Sequence, residues 1–109
     1  MQNVERNSDI LKLEKLIDAQ FGVECEKFKD LKRLSKSDKI AFRVLINLIY
    51  TFFNITFYEL HKIYNKDLTV VMKDRKYISM LDSNSDRDLI IINKMNAIKK
   101  QYSKIINKK

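Results

Sequence analysis

The chain contains almost none of the residues that make tight turns. Among its 109 residues there are one glycine and no proline. Sandwiches and barrels of β-strands need many turn residues to connect their strands. The composition therefore predicts an all-α fold, and the length suits one compact domain. The apolar fraction of 45% can form a modest core, and the charged fraction of 33% can cover a small surface.

Apolar residues recur at helical spacing, and residues that begin or end helices separate the segments. Ser8 or Asp9 can begin a helix over about 9–20, and Gly22 stands where a glycine commonly ends a helix. The segment VECEKFKDLK, residues 23–32, predicts a short second helix.

A third helix, over about 39–53, is predicted to be the central one. Ser37 or Asp38 can cap its start, and Asn54 can end it. Its apolar face is too broad for a helix that has one side in water. The apolar positions are Ile40, Ala41, Val44, Leu45, Leu48, Ile49, Phe52 and Phe53.

Two closely linked helices follow the central one. The pattern Thr-x-x-Glu at residues 56–59 is a capping box and begins a helix over about 56–64. Asn65 ends this helix, and Asp67 can cap the next one, over about 68–81. A short helix, a short turn and a longer basic helix are typical of a helix-turn-helix motif.

A sixth helix, over about 86–106, completes the predicted domain. The pattern Ser-x-x-Asp at residues 85–88 resembles another capping box. The six helices form a single domain over 9–106. We expect a frayed N-terminus over residues 1–8 and a short basic tail over 107–109.

The charges are distributed unevenly along the chain. The formal net charge is +8, but residues 1–31 carry a net −2 and residues 32–109 a net +10. Codon usage in an AT-rich genome can explain part of the lysine excess. An excess confined to one part of a chain is typical of a protein with a polyanionic partner, and nucleic acid is the favoured one.

Two basic groups are the candidate DNA contacts, with an ordinary solvated surface as the alternative for each. The first group surrounds the start of the central helix: Lys32, Arg33, Lys36, Lys39 and Arg43. The second surrounds the start of the helix over 68–81: Lys66, Asp67, Thr69, Lys73 and Lys76. Residues 69, 73 and 76 share one helix face, whereas Val71, Ile78 and Leu81 are expected to turn towards the core.

No pattern of catalytic or metal-binding residues is found in the sequence. The single Cys25 and the single His61 cannot provide a Cys/His zinc site, and no glycine-rich phosphate loop is present. We therefore expect neither an enzyme nor a cofactor. His61 is interpreted as a surface residue and Cys25 as a small, partly buried one.

Other features favour a soluble helical domain. No apolar run is long enough to span a membrane, and the start of the chain does not resemble a signal peptide, so we expect a cytoplasmic protein with no membrane partner. Six aromatic residues at helical spacing are expected to lie mostly in the core: Tyr50, Phe52, Phe53, Phe57, Tyr58 and Tyr64.

Several short motifs occur in an order that is known from one family. They are Phe21-Gly22-Val23, the segment LKRLSKSDKIAFRVLINLIY, Glu59-Leu60, Asp67-Leu68-Thr69-Val70-Val71-Met72 and Arg75-Lys76-Tyr77-Ile78. With them the chain resembles, over about residues 10–105, the C-terminal DNA-binding domain of the bacterial replication initiator DnaA. The resemblance implies a Trp-repressor-like helical fold and binding to duplex DNA.

The resemblance also implies how DNA would be bound. The helix that Asp67 begins would enter the major groove. An arginine of the loop before the central helix, which we call the basic loop (Lys32, Arg33 and Lys36), would enter the minor groove. Asp67 and Thr69 match the family signature, whereas Leu68 and Val70 replace a histidine and a threonine that could hydrogen-bond to DNA. We therefore expect weak base reading, with Leu68 and Val70 in the core rather than on thymine methyl groups.

Two functions follow from these observations, while a third, an RNA-binding or membrane-surface helix bundle, has little support beyond the charge. The first is a small DNA-binding protein in replication or its regulation, or on a mobile element. The second is an adaptor or decoy that binds a replication protein through the same scaffold. A continuous positive surface formed by the basic loop and residues 68–76 would favour the first.

Overall fold

Residues 8–53 and 55–107 are described by the computed structural model, and all of their regular structure is helical. Five α-helices follow one another: α1 (Ser8–Phe21), α2 (Lys36–Phe52), α3 (Phe57–Ile63), α4 (Leu68–Ser79) and α5 (Asp86–Asn107). The all-α prediction is confirmed. The predicted stop at Asn54, and most of the predicted frayed N-terminus and basic tail, fall on residues outside these ranges.

Several helix ends lie where the sequence predicts them. Gly22 follows α1 with a φ of 66°, in the left-handed region that glycine adopts without strain. Thr56 and Glu59 form the complete capping box of α3. Asp67 caps α4, because its carboxylate accepts a hydrogen bond from the Thr69 N–H at 2.9 Å.

The predicted cap of α2 is wrong by two to three residues. The helix begins at Lys36, and Ser35 caps it with a hydroxyl that accepts from the Asp38 N–H at 3.1 Å. Ser35 has the extended backbone of an N-cap residue, whereas Ser37 and Asp38 already lie in the first helical turn.

The capping box predicted at the start of α5 is only half formed. The Asp88 nitrogen lies 3.5 Å from the Ser85 hydroxyl oxygen. The Asp88 carboxylate, however, accepts from the Asp82 N–H at 3.0 Å rather than from the Ser85 N–H. The first turn of α5 therefore holds the loop that follows α4.

The predicted second helix over 23–32 is wrong. Only Cys25–Lys27 are helical, and they form a single 3-10 turn. The carbonyl oxygens of Phe28 and Leu31 accept hydrogen bonds from the Lys66 ammonium group. The Phe28 carbonyl, which would accept from the Lys32 N–H in a helix over 23–32, is thus used by a contact from a distant part of the chain. The described residues contain five α-helices instead of six.

The central position of α2 is confirmed. It packs against both α1 and α4, while α1 also packs against α5, and α3 packs against α4. Eight consecutive or nearly consecutive residues of α2 are buried: Ala41, Phe42, Val44, Leu45, Ile46, Asn47, Leu48 and Ile49. Within the described ranges, none of the helices combines the length and the apolar character needed to cross a membrane.

Three side chains differ in burial from the sequence-based expectation. Tyr50 and Tyr58, expected mostly in the core, are 42% and 56% exposed. Tyr50 stacks on Phe57, a partly buried ring that packs against the core, with ring centroids 4.8 Å apart. Cys25 is fully buried instead of partly buried.

Candidate nucleic-acid interface

A tight turn joins α3 to α4 and fixes the start of α4. Asn65 has a φ of 52°, and the Lys66 N–H donates to the His61 carbonyl at 3.0 Å. The Asn65 N–H donates to the Lys62 carbonyl at 3.4 Å, which completes the Schellman pattern of helix ends. The His61 Nδ1–H donates to the Lys66 carbonyl at 3.0 Å. His61 is therefore part of the turn, half-buried rather than simply on the surface.

A groove of about 740 Å³ lies between the loop that precedes α2, the first half of α2 and α4. We call it the basic groove. Six of its lining residues are cationic: Lys32, Arg33, Lys39, Arg43, Lys66 and Lys73. The others are Leu34, Phe42, Asn65, Asp67, Val70 and Asp74. Residues from both predicted basic groups thus share one concave surface.

Arg43 is held inside the basic groove by α4. Its Nε donates to the Asp74 carboxylate at 3.1 Å, and its guanidinium carbon lies 4.1 Å from the centroid of the Tyr77 ring. Asp74 is buried, and this burial raises the pKa of its carboxyl group, an effect that the Arg43 hydrogen bond and charge oppose. The ion pair joins α2 to α4, and the opposite charges of Arg43 and Asp74 largely cancel.

Lys66 also makes internal contacts. Its ammonium group donates to the backbone carbonyls of Phe28, of Leu31 at 2.9 Å and of Tyr64 at 3.2 Å. Partial burial lowers the pKa of Lys66, and the nearby charge of Asp30 opposes this shift. The Lys66 ammonium group, which was predicted to contact DNA, is thus hydrogen-bonded to the backbone of the protein.

Asp67 and Thr69 are hydrogen-bonded to each other at the start of α4. One Asp67 carboxylate oxygen accepts from the Thr69 N–H at 2.9 Å and from the Thr69 hydroxyl at 2.7 Å. These two bonds lower the pKa of Asp67. Asp67 therefore acts as a helix cap, and the Thr69 hydroxyl proton is already donated.

The remaining predicted site residues fall into two sets. Four exposed cations line the basic groove without these internal ties: Lys32, Arg33, Lys39 and Lys73. Three others are exposed but lie outside its lining: Lys36, Thr69 and Lys76. Helical spacing places the last two on the outer face of α4, one turn from Lys73.

The apolar residues of α4 divide differently from the sequence-based expectation. Val71 and Ile78 are buried and Leu81 is half-buried, as predicted. Val70 is 43% exposed at the edge of the basic groove, so its predicted core position is wrong, and Leu68 is half-buried. Periodicity places Val70 beside Lys73, away from the stripe that Val71 and Ile78 bury.

Sequence reasoning missed several residues of the basic groove. Asp74 carried no signal, because its partner Arg43 is 31 positions away. Asn65 was predicted as a helix stop but not as a lining residue, although it directly precedes the second predicted basic group. Comparisons of the chain with models of protein families, with curated proteins and with solved structures gave no match.

Proposed function

We propose that this chain binds duplex DNA, with the basic groove on the phosphate backbone and the outer face of α4 in the major groove. In this proposal α3, the Asn65 turn and α4 act as a helix-turn-helix. One observation carries it: exposed cations from the loop (Lys32, Arg33), from α2 (Lys39) and from α4 (Lys73) converge on one groove.

The charges of the basic groove suit a row of phosphates. Lysine contacts phosphate as a mobile point charge, which positions a protein on DNA without reading its sequence. The two acidic lining residues offset only part of this attraction, because six cationic residues line the same groove. Asp74 is paired with Arg43, whereas Asp67 keeps its negative charge, since the Thr69 groups that donate to it are neutral. Phosphate contacts should therefore supply most of the affinity.

Base reading should be weak in this proposal. Leu68 and Val70 have no hydrogen-bonding side-chain groups, and the Thr69 hydroxyl already donates to Asp67. We expect at most about 1–3 kcal/mol of discrimination, the size of one good side-chain contact to a base. The resemblance to the DNA-binding domain of the replication initiator supports replication or its regulation as the setting.

The second candidate is an adaptor that binds a replication protein through α4. It is favoured by two exposed methionines in and just after this helix, Met72 at 49% and Met80 at 69%. Methionine adapts its shape to many apolar partners and is common on protein-binding surfaces. The DNA experiment below separates the two candidates.

The experiment measures duplex binding by fluorescence anisotropy across a salt series, with random and AT-rich competitors. Lys73→Glu should remove most of the affinity for every duplex, because it places a like charge against phosphate. Its circular dichroism and Tm should stay near those of the parent, since Lys73 is exposed. Lys100→Glu on α5, also exposed and outside the basic groove, is the matched control and should bind as the parent does.

A second set of variants tests the loop. Replacing Lys32, Arg33 and Lys36 together by Ala should weaken all duplexes alike and flatten the salt slope by about 0.9 per lost phosphate contact. The control removes three exposed lysines elsewhere, Lys15, Lys100 and Lys104. Unchanged binding by both the loop variant and Lys73→Glu would contradict the proposal and favour the adaptor.

A further inference from the structure

The ammonium group of Lys66 connects two parts of the proposed DNA surface. An ammonium has three N–H donors, and here three backbone carbonyls accept from it. Two of these carbonyls, of Phe28 and Leu31, belong to the segment that leads directly into Lys32 and Arg33. The third, of Tyr64, belongs to the end of α3. We call this arrangement the Lys66 tie.

Both ends of the Lys66 tie are fixed to the fold. On the loop side, the buried Phe28 ring packs edge-on against Phe42 at 5.6 Å, and Phe42 packs in the same way against Tyr64 at 5.5 Å. On the turn side, the Lys66 N–H and carbonyl are both bonded to His61. The lysine side chain therefore starts from a hydrogen-bonded turn and ends on a segment that the Phe28 ring anchors to the core.

The loop beyond Phe28 has little packing of its own. The Leu31 side chain is 38% exposed, and Lys32 and Arg33 are exposed. The next anchor along the chain is Leu34, which packs partly against the core, followed by the Ser35 cap of α2. The bond from Lys66 to the Leu31 carbonyl thus holds the loop at the point where its two cations begin.

We infer that Lys66 is a positioning residue: its three bonds to backbone carbonyls hold Lys32 and Arg33 at a fixed distance from α4, so that loop and helix meet the DNA backbone as one preformed surface. This inference rests on the proposed function and deepens it, because Lys66 acts through the loop instead of contacting phosphate. A loop that is already ordered loses less conformational entropy on binding, which strengthens binding without a new contact.

The first test needs no DNA. Lys66→Met keeps most of the aliphatic stem and removes the ammonium group. Limited trypsin digestion, followed by mass spectrometry, measures the rate of cleavage after Lys32 and Arg33. We expect this rate to rise at least about fivefold, because local opening exposes the loop. Lys62→Met, which removes one exposed charge from α3, is the matched control and should not change the rate.

The second test is a double-mutant cycle on duplex binding. Lys66→Met is measured in the parent and in a Lys32→Ala, Arg33→Ala background. We expect a severalfold loss of affinity in the parent and almost none in the background, where no loop charge is left to position. Equal losses in both would overturn the inference and make Lys66 a direct phosphate contact.

The two tests distinguish the Lys66 tie from the proposed function. An unchanged cleavage rate in Lys66→Met would overturn the Lys66 tie whether or not the chain binds DNA. A parent that binds no duplex would overturn the proposed function, and with it the DNA role of the tie. If Lys66→Met does not fold, Lys66→Leu, which also lacks N–H donors, is measured in both tests with the same expected directions.

Discussion

Asn65 allows the chain to reverse between α3 and α4 within a few residues. Its φ of 52° lies in the left-handed region, where a Cβ atom comes too close to the following carbonyl oxygen. Asparagine and glycine tolerate this conformation better than other residues do. This turn positions Lys66 and the Asp67 cap, so one backbone angle determines where the α4 part of the candidate interface begins.

Substitution of Asn65 separates the role of its backbone from that of its side chain. Asn65→Ala should lower the free energy of unfolding by about 1–2 kcal/mol, because alanine strains the left-handed conformation. Asn65→Gly should stay within about 0.5 kcal/mol of the parent. Urea unfolding followed by circular dichroism measures both. Equal losses in the two variants would show that the asparagine side chain matters instead.

A comparison of single residues shows which interactions can be predicted from the sequence. The caps at Thr56 and Asp67 and the stop at Gly22 were predictable, because each acts on groups within a few positions of itself. The internal contacts of Arg43 and those of Lys66 were not predictable, because their hydrogen-bond partners, apart from the Tyr64 carbonyl, lie 31 to 38 positions away. Both basic groups of the candidate site could be predicted from the sequence. Which of their cations form hydrogen bonds within the protein could not.

At the scale of elements, α2 organises the domain. It contacts both α1 and α4, and its buried residues extend around most of its circumference. A helix of this kind carries the strongest sequence signal, since ten of the 13 positions from Ile40 to Phe52 are apolar. The 3-10 turn Cys25–Lys27 is the opposite case, because partners outside it bond to both of its ends. The Cys25 N–H donates to the Asp18 carboxylate, and the Lys66 ammonium group donates to the carbonyl of Phe28, which follows the turn.

Truncation of Leu48 tests the central role of α2. Leu48 is fully buried, so Leu48→Ala should lower the free energy of unfolding by about 2–5 kcal/mol, through lost burial and the cavity left behind. The control is Leu11→Ala on α1, where the side chain is 37% exposed. Chemical unfolding checks both variants, and a loss below about half a kilocalorie for Leu48→Ala would argue against a central α2.

At the scale of the whole molecule, the helices α1 and α5, which are far apart in the sequence, pack against each other. The Tyr102 hydroxyl of α5 donates to the backbone carbonyl of Asp9 in α1 at 2.9 Å, across 93 positions of sequence. Burial, aided by the Asp9 charge, raises the pKa of Tyr102 to about 12. The bond is therefore retained in the folded protein at pH values where the unfolded chain has already lost this proton.

Tyr102→Phe should lower the free energy of unfolding by about 0.5–1.5 kcal/mol near neutral pH, the usual net contribution of one hydrogen bond. The parent should lose this advantage as pH rises from about 10 to 12, since an unfolded tyrosine ionises first and ionisation favours unfolding. Unfolding at pH 8 and pH 11 measures the difference. Tyr58→Phe, on an exposed ring, is the control, and a difference that does not change with pH would refute the assignment.

Cys25 gives the molecule an intrinsic reporter. It is the only thiol in the chain, and it is completely shielded from water just before the segment that the Lys66 tie holds. A thiol reagent can modify it only in molecules where this region has opened, so the rate of labelling measures how often opening occurs. Because no cysteine needs to be introduced or removed, the same chemistry can follow the motion of the basic loop with and without DNA.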